Sequence, residues 1–344
     1  MMKTRLFASI LLCLLLAACA PGMSPLGPQA TPTATPFLPN FAGQPAGSET
    51  SPTPDTRDLI PIPFENYPAP TAQSDIALPD PVGRFIQPEG QVNILLLGSD
   101  QRPNDGGFRT DVILLATLNP AGELVNLTSF PRDLYVYVPG WKMDRINAAF
   151  VRGGFEMMAD TMEYNFGVRP DHYVLATFWG FRSIVDTLGG ITVQSARGLS
   201  DQRDGHGIYS VPAGSVFMDG ETALWYVRSR ATSSDFDRTR REQEVLQAIF
   251  YRMISIDAIA RAPQLYDQYR QSVTTDVSLS HILPLLPLAA KLGAGGGHSG
   301  HYAVGPEDVS SFRTSTGAAV LLPDRAKVLN IMRQSLNVAS ASSN

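Results

Sequence analysis

Thiols are nearly absent from this sequence. Its two cysteines are Cys13 and Cys19, so the chain after residue 19 has nothing from which to build a disulfide or a thiolate zinc site. Gly-x-Ser-x-Gly, His-Glu-x-x-His and a Walker-type phosphate loop are all missing, which leaves conventional hydrolase and P-loop chemistry without support. Positive charge is short as well. Lysine and arginine total 27 against 32 acidic residues, the formal net charge is −5 and the pI is about 5.6. Nucleic-acid binders usually carry a basic footprint, so that class is excluded as a partner. The apolar run Leu6 to Leu16 is too short to be a comfortable membrane span.

What is present begins with a processing signal. Lys3 and Arg5 form a basic n-region, Leu6 to Leu16 the apolar segment, and Leu16-Ala17-Ala18-Cys19 supplies small residues before a cysteine. Residues 1–19 therefore read as a lipoprotein signal with Cys19 as the lipidated residue. The chain is then expected at the extracytoplasmic face of a bacterial membrane, held by its acyl chains. Residues 20–88 contain sixteen of the 27 prolines, mixed with Thr, Ser, Gly and Ala. They are expected to form a disordered tether reaching about 45 Å as a coil.

From residue 89 the pattern changes to strand-length apolar runs alternating with helical periodicity. Val92–Leu97, Val112–Leu118, Leu124–Phe130 and Leu134–Val138 read as strands, followed by a helix from about Asp144 to Phe166. A strand His172–Thr177, a helix Phe178–Leu188 and extended Ile191–Val193 come next. Alternation of this kind predicts an α/β fold, three α-β-α layers around a central mixed sheet. The core is expected over 89–257 and a C-terminal helical extension over 258–344, with helices at Ala262–Ser272, Leu279–Leu292 and Pro323–Leu336. Gln194 to Gly214, with Asp201, Arg203, Asp204 and His206, reads as a surface rim. Gly293 to Gly300, with His298 and His301 nearby, reads as a flexible connection lacking metal geometry.

The chemistry-bearing residues sit at element ends. Asn93 to Leu97 ends in Gly98-Ser99-Asp100, the next strand opens on Arg109-Thr110-Asp111, and the third delivers Pro131-Arg132-Asp133. Ligands collect at strand ends in buried sheets, and carboxylates mixed with guanidinium groups suit a metal-bridged phosphate. Arg228 and Arg230 are expected in an extended segment following the short helix Met218–Leu224, pointing the same way. Asp235 or Asp237 is expected to cap a helix whose first turn carries Arg238 and Arg241. Basic residues there oppose the helix dipole, a conflict that a bound anion relieves.

These stretches, together with Arg145-Ile146-Asn147-Ala148, Val185-Asp186-Thr187-Leu188-Gly189-Gly190 and Gly220-Glu221-Thr222-Ala223-Leu224, are collinear with the motifs of the LytR–CpsA–Psr family. The resemblance covers about Glu89 to Arg252. It implies a Mg2+-dependent phosphotransferase that moves a glycopolymer from a polyprenyl-pyrophosphate-linked donor to peptidoglycan, the acceptor, and releases polyprenyl phosphate. By resemblance Asp100 and Asp111 hold the metal. Arg109, Arg132, Arg228, Arg230, Arg238, Arg241 and Gln243 contact the pyrophosphate, and the tail lies in an apolar tunnel between sheet and helices. Asp100, Asp111, Arg132 and Asp133 are the catalytic candidates, Asp133 being either the base for the acceptor hydroxyl or a salt-bridge partner. Two departures stand out: Glu242 occupies a position where the family commonly has Gln, and a lipid anchor replaces the usual membrane-spanning helix. Two alternatives remain, a non-catalytic polyprenyl- or glycan-binding regulator and a polyprenyl-pyrophosphatase that transfers to water.

Overall fold

The run Val92–Ser99 lies inside a six-stranded sheet. The structure, a computed structural model, describes residues 58–100, 109–229, 235–253, 269 and 272–338. Its strands and helices begin with β1 (Leu59–Ile60), β2 (Arg84–Phe85), β3 (Val92–Ser99), β4 (Thr110–Asn119), β5 (Leu124–Ser129), β6 (Tyr135–Tyr137) and β7 (Met143–Arg145). Then come α1 (Asn147–Phe166), β8 (His172–Thr177), α2 (Phe178–Thr187), β9 (Ile191–Ser195), β10 (Leu199–Arg203), β11 (Gly207–Val211), β12 (Gly214–Met218), α3 (Gly220–Arg228) and α4 (Asp235–Met253). The last part holds β13 (Val273–Thr275), α5 (Leu279–Ile282), α6 (Leu286–Gly293), β14 (His298–Ala303), β15 (Val309–Arg313), β16 (Ala319–Pro323) and α7 (Arg325–Ser335).

The sheet order is β13-β8-β3-β4-β5-β14. β3 runs parallel to β8, β5 parallel to β14, and the other neighbours are antiparallel, so the expected mixed sheet is present. Alternation along β3 sends Leu95 and Leu97 to one face, where they join Met158, Met162 and Phe166 of α1 and Val328 and Met332 of α7 in one apolar cluster. On the other face Val125 packs with Leu288 and Leu292 of α6, and Phe250 of α4 lies against them. Helix, sheet and helix thus form three layers.

Three expectations about the periphery need correction. Residues 58–88 are ordered: β1 pairs with β2, and Leu59, Tyr67 and Phe85 are buried in the core. Prolines keep this segment extended, but scattered apolar anchors tie it down. The stretch beyond residue 258 is not a helical appendage, since β13 and β14 form the two edges of the central sheet. The connection expected at Gly293 to Gly300 ends inside β14, whose backbone pairs with β5 from His298 to Ala303. Gln194 to Gly214 includes the hairpin β10–β11, closed by Gly205 and Gly207 at positive φ. Helix α1 also carries a break: Gly154 has φ 64° and ψ −154°, a conformation essentially reserved for glycine.

Gly98 is the glycine whose missing side chain matters most for the site. A Cβ there would lie 2.9 Å from both Cβ and Cγ2 of Val112, the neighbour of Asp111. Gly98→Ala is expected to destabilise the protein by about 1–3 kcal/mol through overpacking. Urea unfolding of the two forms checks it.

Candidate active site

Backbone pairing brings the strand ends together before any side chain is considered. Ser99 is registered with Thr110 across the β3–β4 pair and with Thr177 across β3–β8. Leu114 faces Ser129 on β5, and Ala303 of β14 faces the same Ser129. The carboxyl ends of β3, β5, β8 and β14 therefore meet the start of β4. That edge is where open α/β sheets hold ligands.

On it lie two ion-pair groups. Arg109 donates its backbone N–H to Asp100 Oδ1 at 2.7 Å, and its Nη2 stands 3.4 Å from Asp100 Oδ2. Arg132 donates Nη1 to Asp111 Oδ1 at 2.7 Å, and its Nε lies 3.5 Å from Asp133 Oδ2. Asp133 continues the chain to Arg145, whose Nε is 3.0 Å from its Oδ1. Asp133 thus stands between two guanidinium groups, the arrangement of a salt-bridge partner. Arg145 was legible only as part of a motif; the contact with Asp133 places it beside the candidate residues.

The remaining candidates arrive from the helices. Arg228 stacks over the ring of Phe178, which follows Thr177 at the end of β8, with 4.3 Å from guanidinium carbon to ring centre. Gln243 donates Nε2 to Ser129 Oγ at 2.7 Å and to the Tyr302 carbonyl at 2.9 Å, fastening α4 to the same sheet edge. Arg238, N-terminal to it on α4, has Nε 3.5 Å from Glu242 Oε1. The glutamate that departs from the family pattern thus supplies a local countercharge. Arg230 and Cys19 lie outside the described residues.

Two readings of the arginine segments change. Arg228 is the last residue of α3 and not part of an extended strand, because the helix runs on past Leu224. Arg241 is buried, at 1% exposure, and donates Nη1 to the Tyr226 carbonyl at 2.8 Å and Nη2 to the Ser229 carbonyl at 2.7 Å. Those carbonyls belong to the C-terminal end of α3, where helix groups lack internal partners and the dipole is negative. The arginine expected to await an anion at the start of α4 caps the end of α3 instead. Burial lowers its pKa from the ordinary value. Arg240 beside it pairs with Glu244, which also accepts from the Tyr226 hydroxyl at 2.7 Å. Burial and Glu244 push that phenol up to about 12.

Apolar surface adjoins the charged edge. Leu96 pairs with Val174 and Gly98 with Ala176, and all four keep partial exposure although β3 and β8 are interior strands. Phe178 and Phe181 of α2 and Leu246 of α4 are also only half-buried. Met158, Met162 and Val185, by contrast, are fully packed core.

Asp100 and Asp111 offer oxygen donors alone. Among the described residues no group of three or more His, Cys, Asp or Glu could hold a metal by itself. Two carboxylates suit a hard cation that draws its other ligands from phosphate and water, so the residues fit magnesium. Among the described residues no helix is long and apolar enough to cross a membrane.

Similarity to known proteins follows the same residues. A model described as the LytR_cpsA_psr family matches residues 68–294. The polyisoprenyl-teichoic acid–peptidoglycan teichoic acid transferase TagU of Oceanobacillus iheyensis is 32% identical over 213 residues, covering 60% of this chain and 65% of that protein. TagU of Bacillus subtilis is 33% identical over 200 residues, 57% of this chain and 63% of that protein. The chain thus spans a little under two thirds of either relative. The crystal structure of B. subtilis TagV aligns with a TM-score of 0.62 at 24% identity over 73% of this chain and 98% of that one, a likeness of fold.

Proposed function

The chain belongs to the LytR_cpsA_psr family, and on that premise we propose that it transfers a glycopolymer from a polyprenyl-pyrophosphate carrier to peptidoglycan. The observation that carries this reading is Arg132 held between Asp111 and Asp133 beside the Asp100–Arg109 pair. An acceptor hydroxyl attacks the phosphorus nearer the glycan. A new phosphodiester P–O bond forms, the bond to the bridging oxygen breaks, the hydroxyl proton is lost, and polyprenyl phosphate leaves. Such transfer depends on positioning and charge neutralisation more than on a protein nucleophile.

Arg109, Arg132 and Arg228 are the groups that bind and orient the pyrophosphate oxygens, Arg132 bidentately. Asp100 and Asp111 would hold magnesium, which when bound supplies further neutralisation of the phosphates. Gln243 keeps α4 against the sheet edge, and Arg241 keeps the end of α3 in place so that Arg228 stays on Phe178. The half-buried apolar residues on β3, β8, α2 and α4 accommodate the polyprenyl tail. Each hundred Å2 of apolar surface buried there is worth about 2.5 kcal/mol before ordering costs. The lipobox ending at Cys19 supports attachment to the outer face of the membrane, where lipid-linked donor and wall are both within reach.

Purified protein, lipid-linked donor, Mg2+ and peptidoglycan test the reading together. Polyprenyl phosphate is expected to appear only with acceptor present, and Asp111→Asn is expected to lower its release at least about a hundredfold. Partial recovery at high Mg2+ is also expected. Release at the same rate without acceptor would identify a pyrophosphatase, and no release under any condition a binding protein.

A further inference from the structure

Next to the ion-pair chain, on the Arg145 side, lies a polar cleft of about 480 Å3. Three separate stretches build it: Gln73 to Asp75 of the N-terminal strap, the β6–β7 hairpin with Tyr135 and Lys142 to Arg145, and the tip Thr314 to Thr316 between β15 and β16. The family match at residues 68–294 includes the strap but ends before the β15–β16 tip. The β15–β16 element is fixed to the charged edge directly, and the strap is held through the hairpin and the tip. The backbone N–H of Leu321 donates to the Asp133 carbonyl at 3.0 Å. Arg145, already paired with Asp133, donates Nη2 to the Ala319 carbonyl at 2.9 Å. One arginine therefore belongs to the cleft and to the charged site.

We propose that this cleft binds the sugar chain of the acceptor and leads its reacting hydroxyl toward the Asp133–Arg145 end of the site. The inference rests on the transferase reading. Its volume falls in the range of about 300–1,000 Å3 common to small-molecule pockets. The lining is dense in neutral hydroxyl groups, from Ser74, Tyr135, Thr314, Ser315 and Thr316, and its charges balance, with Asp75 and Asp144 against Lys142 and Arg145. A polyanion would meet the two carboxylates, and a hydrocarbon would strip water from the hydroxyls without replacing their hydrogen bonds. A polyhydroxylated, largely neutral chain satisfies both kinds of group.

The polar groups are held ready. Asp75 accepts from the Tyr135 hydroxyl at 3.0 Å and from both the backbone N–H and the hydroxyl of Ser315. Those bonds, Ser315 first and Tyr135 next, keep its carboxyl below the usual range, so it stays an acceptor at neutral pH. Burial and Asp75 push the Tyr135 phenol up to about 12, so it stays a donor. Met143 donates its N–H to Ser74 Oγ at 2.9 Å, tying strap to hairpin. The strap, hairpin and tip form one wall-to-wall surface with its hydrogen-bonding groups already oriented, which lowers the ordering cost of binding.

The test uses soluble glycan strands cut from peptidoglycan, titrated into wild-type protein and into Lys142→Ala and Thr316→Trp, with NMR or calorimetry as readout. Both substitutions lie outside the residues assigned to the donor, and melting curves establish that each variant is folded. Wild type is expected to bind the strands, with each variant weakened about tenfold or more. In the transfer assay the acceptor KM rises by a like factor and the donor KM stays within about twofold. Equal binding by wild type and both variants, or no binding by wild type, overturns the proposal. If strands bind in a Thr316-dependent way while donor is never consumed, the cleft stands and the transferase reading falls. If donor is consumed normally and the variants leave the acceptor KM unchanged, the cleft falls and the transferase reading stands.

Discussion

Arg132→Lys is expected to lower transfer about a hundred- to a thousandfold, the range seen when one donor is removed from a preorganised charge-stabilising site. Arg132 reaches Asp111 through Nη1 and Asp133 through Nε, which are different edges of one planar group. A lysine ammonium keeps the charge but is a single point, so it cannot hold both carboxylates and still offer a fork to phosphate oxygens. The loss should fall on kcat more than on the donor KM, because net charge at the site is unchanged and orientation is what fails. Stability should change little. The side chains of Arg132 and Asp111 keep 18% and 21% exposure, and ion pairs that water reaches contribute about 1 kcal/mol or less. Arg109 provides the contrast: its side chain is 67% exposed, and Arg109→Lys is expected to cost far less activity. Steady-state rates with saturating donor, read beside melting curves, separate the cases. Activity within threefold of wild type for Arg132→Lys would mean that the cluster is not where charge develops.

The strands that carry the site were legible because each is a compact apolar run bounded by turn residues, and because its polar cargo sits at the boundary. Asp100, Asp111 and Arg132 could be brought to one edge from sequence, since neighbouring runs with short connections pair. Other parts resisted for identifiable reasons. β14, His298-Ser299-Gly300-His301-Tyr302-Ala303, has no apolar run; it becomes a strand because β5, distant in sequence, offers an unpaired backbone edge. Residues 58–88 lack periodicity because their anchors Leu59, Tyr67 and Phe85 are far apart and separated by proline. Hairpin β10–β11 has mixed polarity, and only the cross-strand fit, with Arg203 over the Tyr209 ring, reveals it as structure. The arginine cluster on α4 was legible as unusual but not in its purpose. Sequence places Arg241 against its own helix dipole, whereas the favourable partner is the opposite end of a different helix.

That assignment has the largest consequence for folding. Arg241→Met is expected to destabilise the protein by about 3 kcal/mol, since Met retains much of the apolar stem but leaves the carbonyls of Tyr226 and Ser229 without the donors they have now. Each buried acceptor left unpaired costs roughly 1–3 kcal/mol. For a chain of this size the melting temperature should fall by roughly 5–10 °C. Arg238→Met should fall less: its Nε stands 3.5 Å from Glu242 Oε1, a longer contact made by a side chain less deeply buried than that of Arg241. If Arg241 were chiefly a pyrophosphate ligand, the order would reverse, with Arg241→Met keeping its melting temperature and losing donor affinity. The structural role also predicts a partial loss of transfer that tracks Arg228, because freeing Ser229 loosens the adjacent residue stacked on Phe178. Melting curves with and without donor distinguish the two roles. A cap shows its deficit in the free protein, and a ligand contact only in the size of the stabilisation that donor adds.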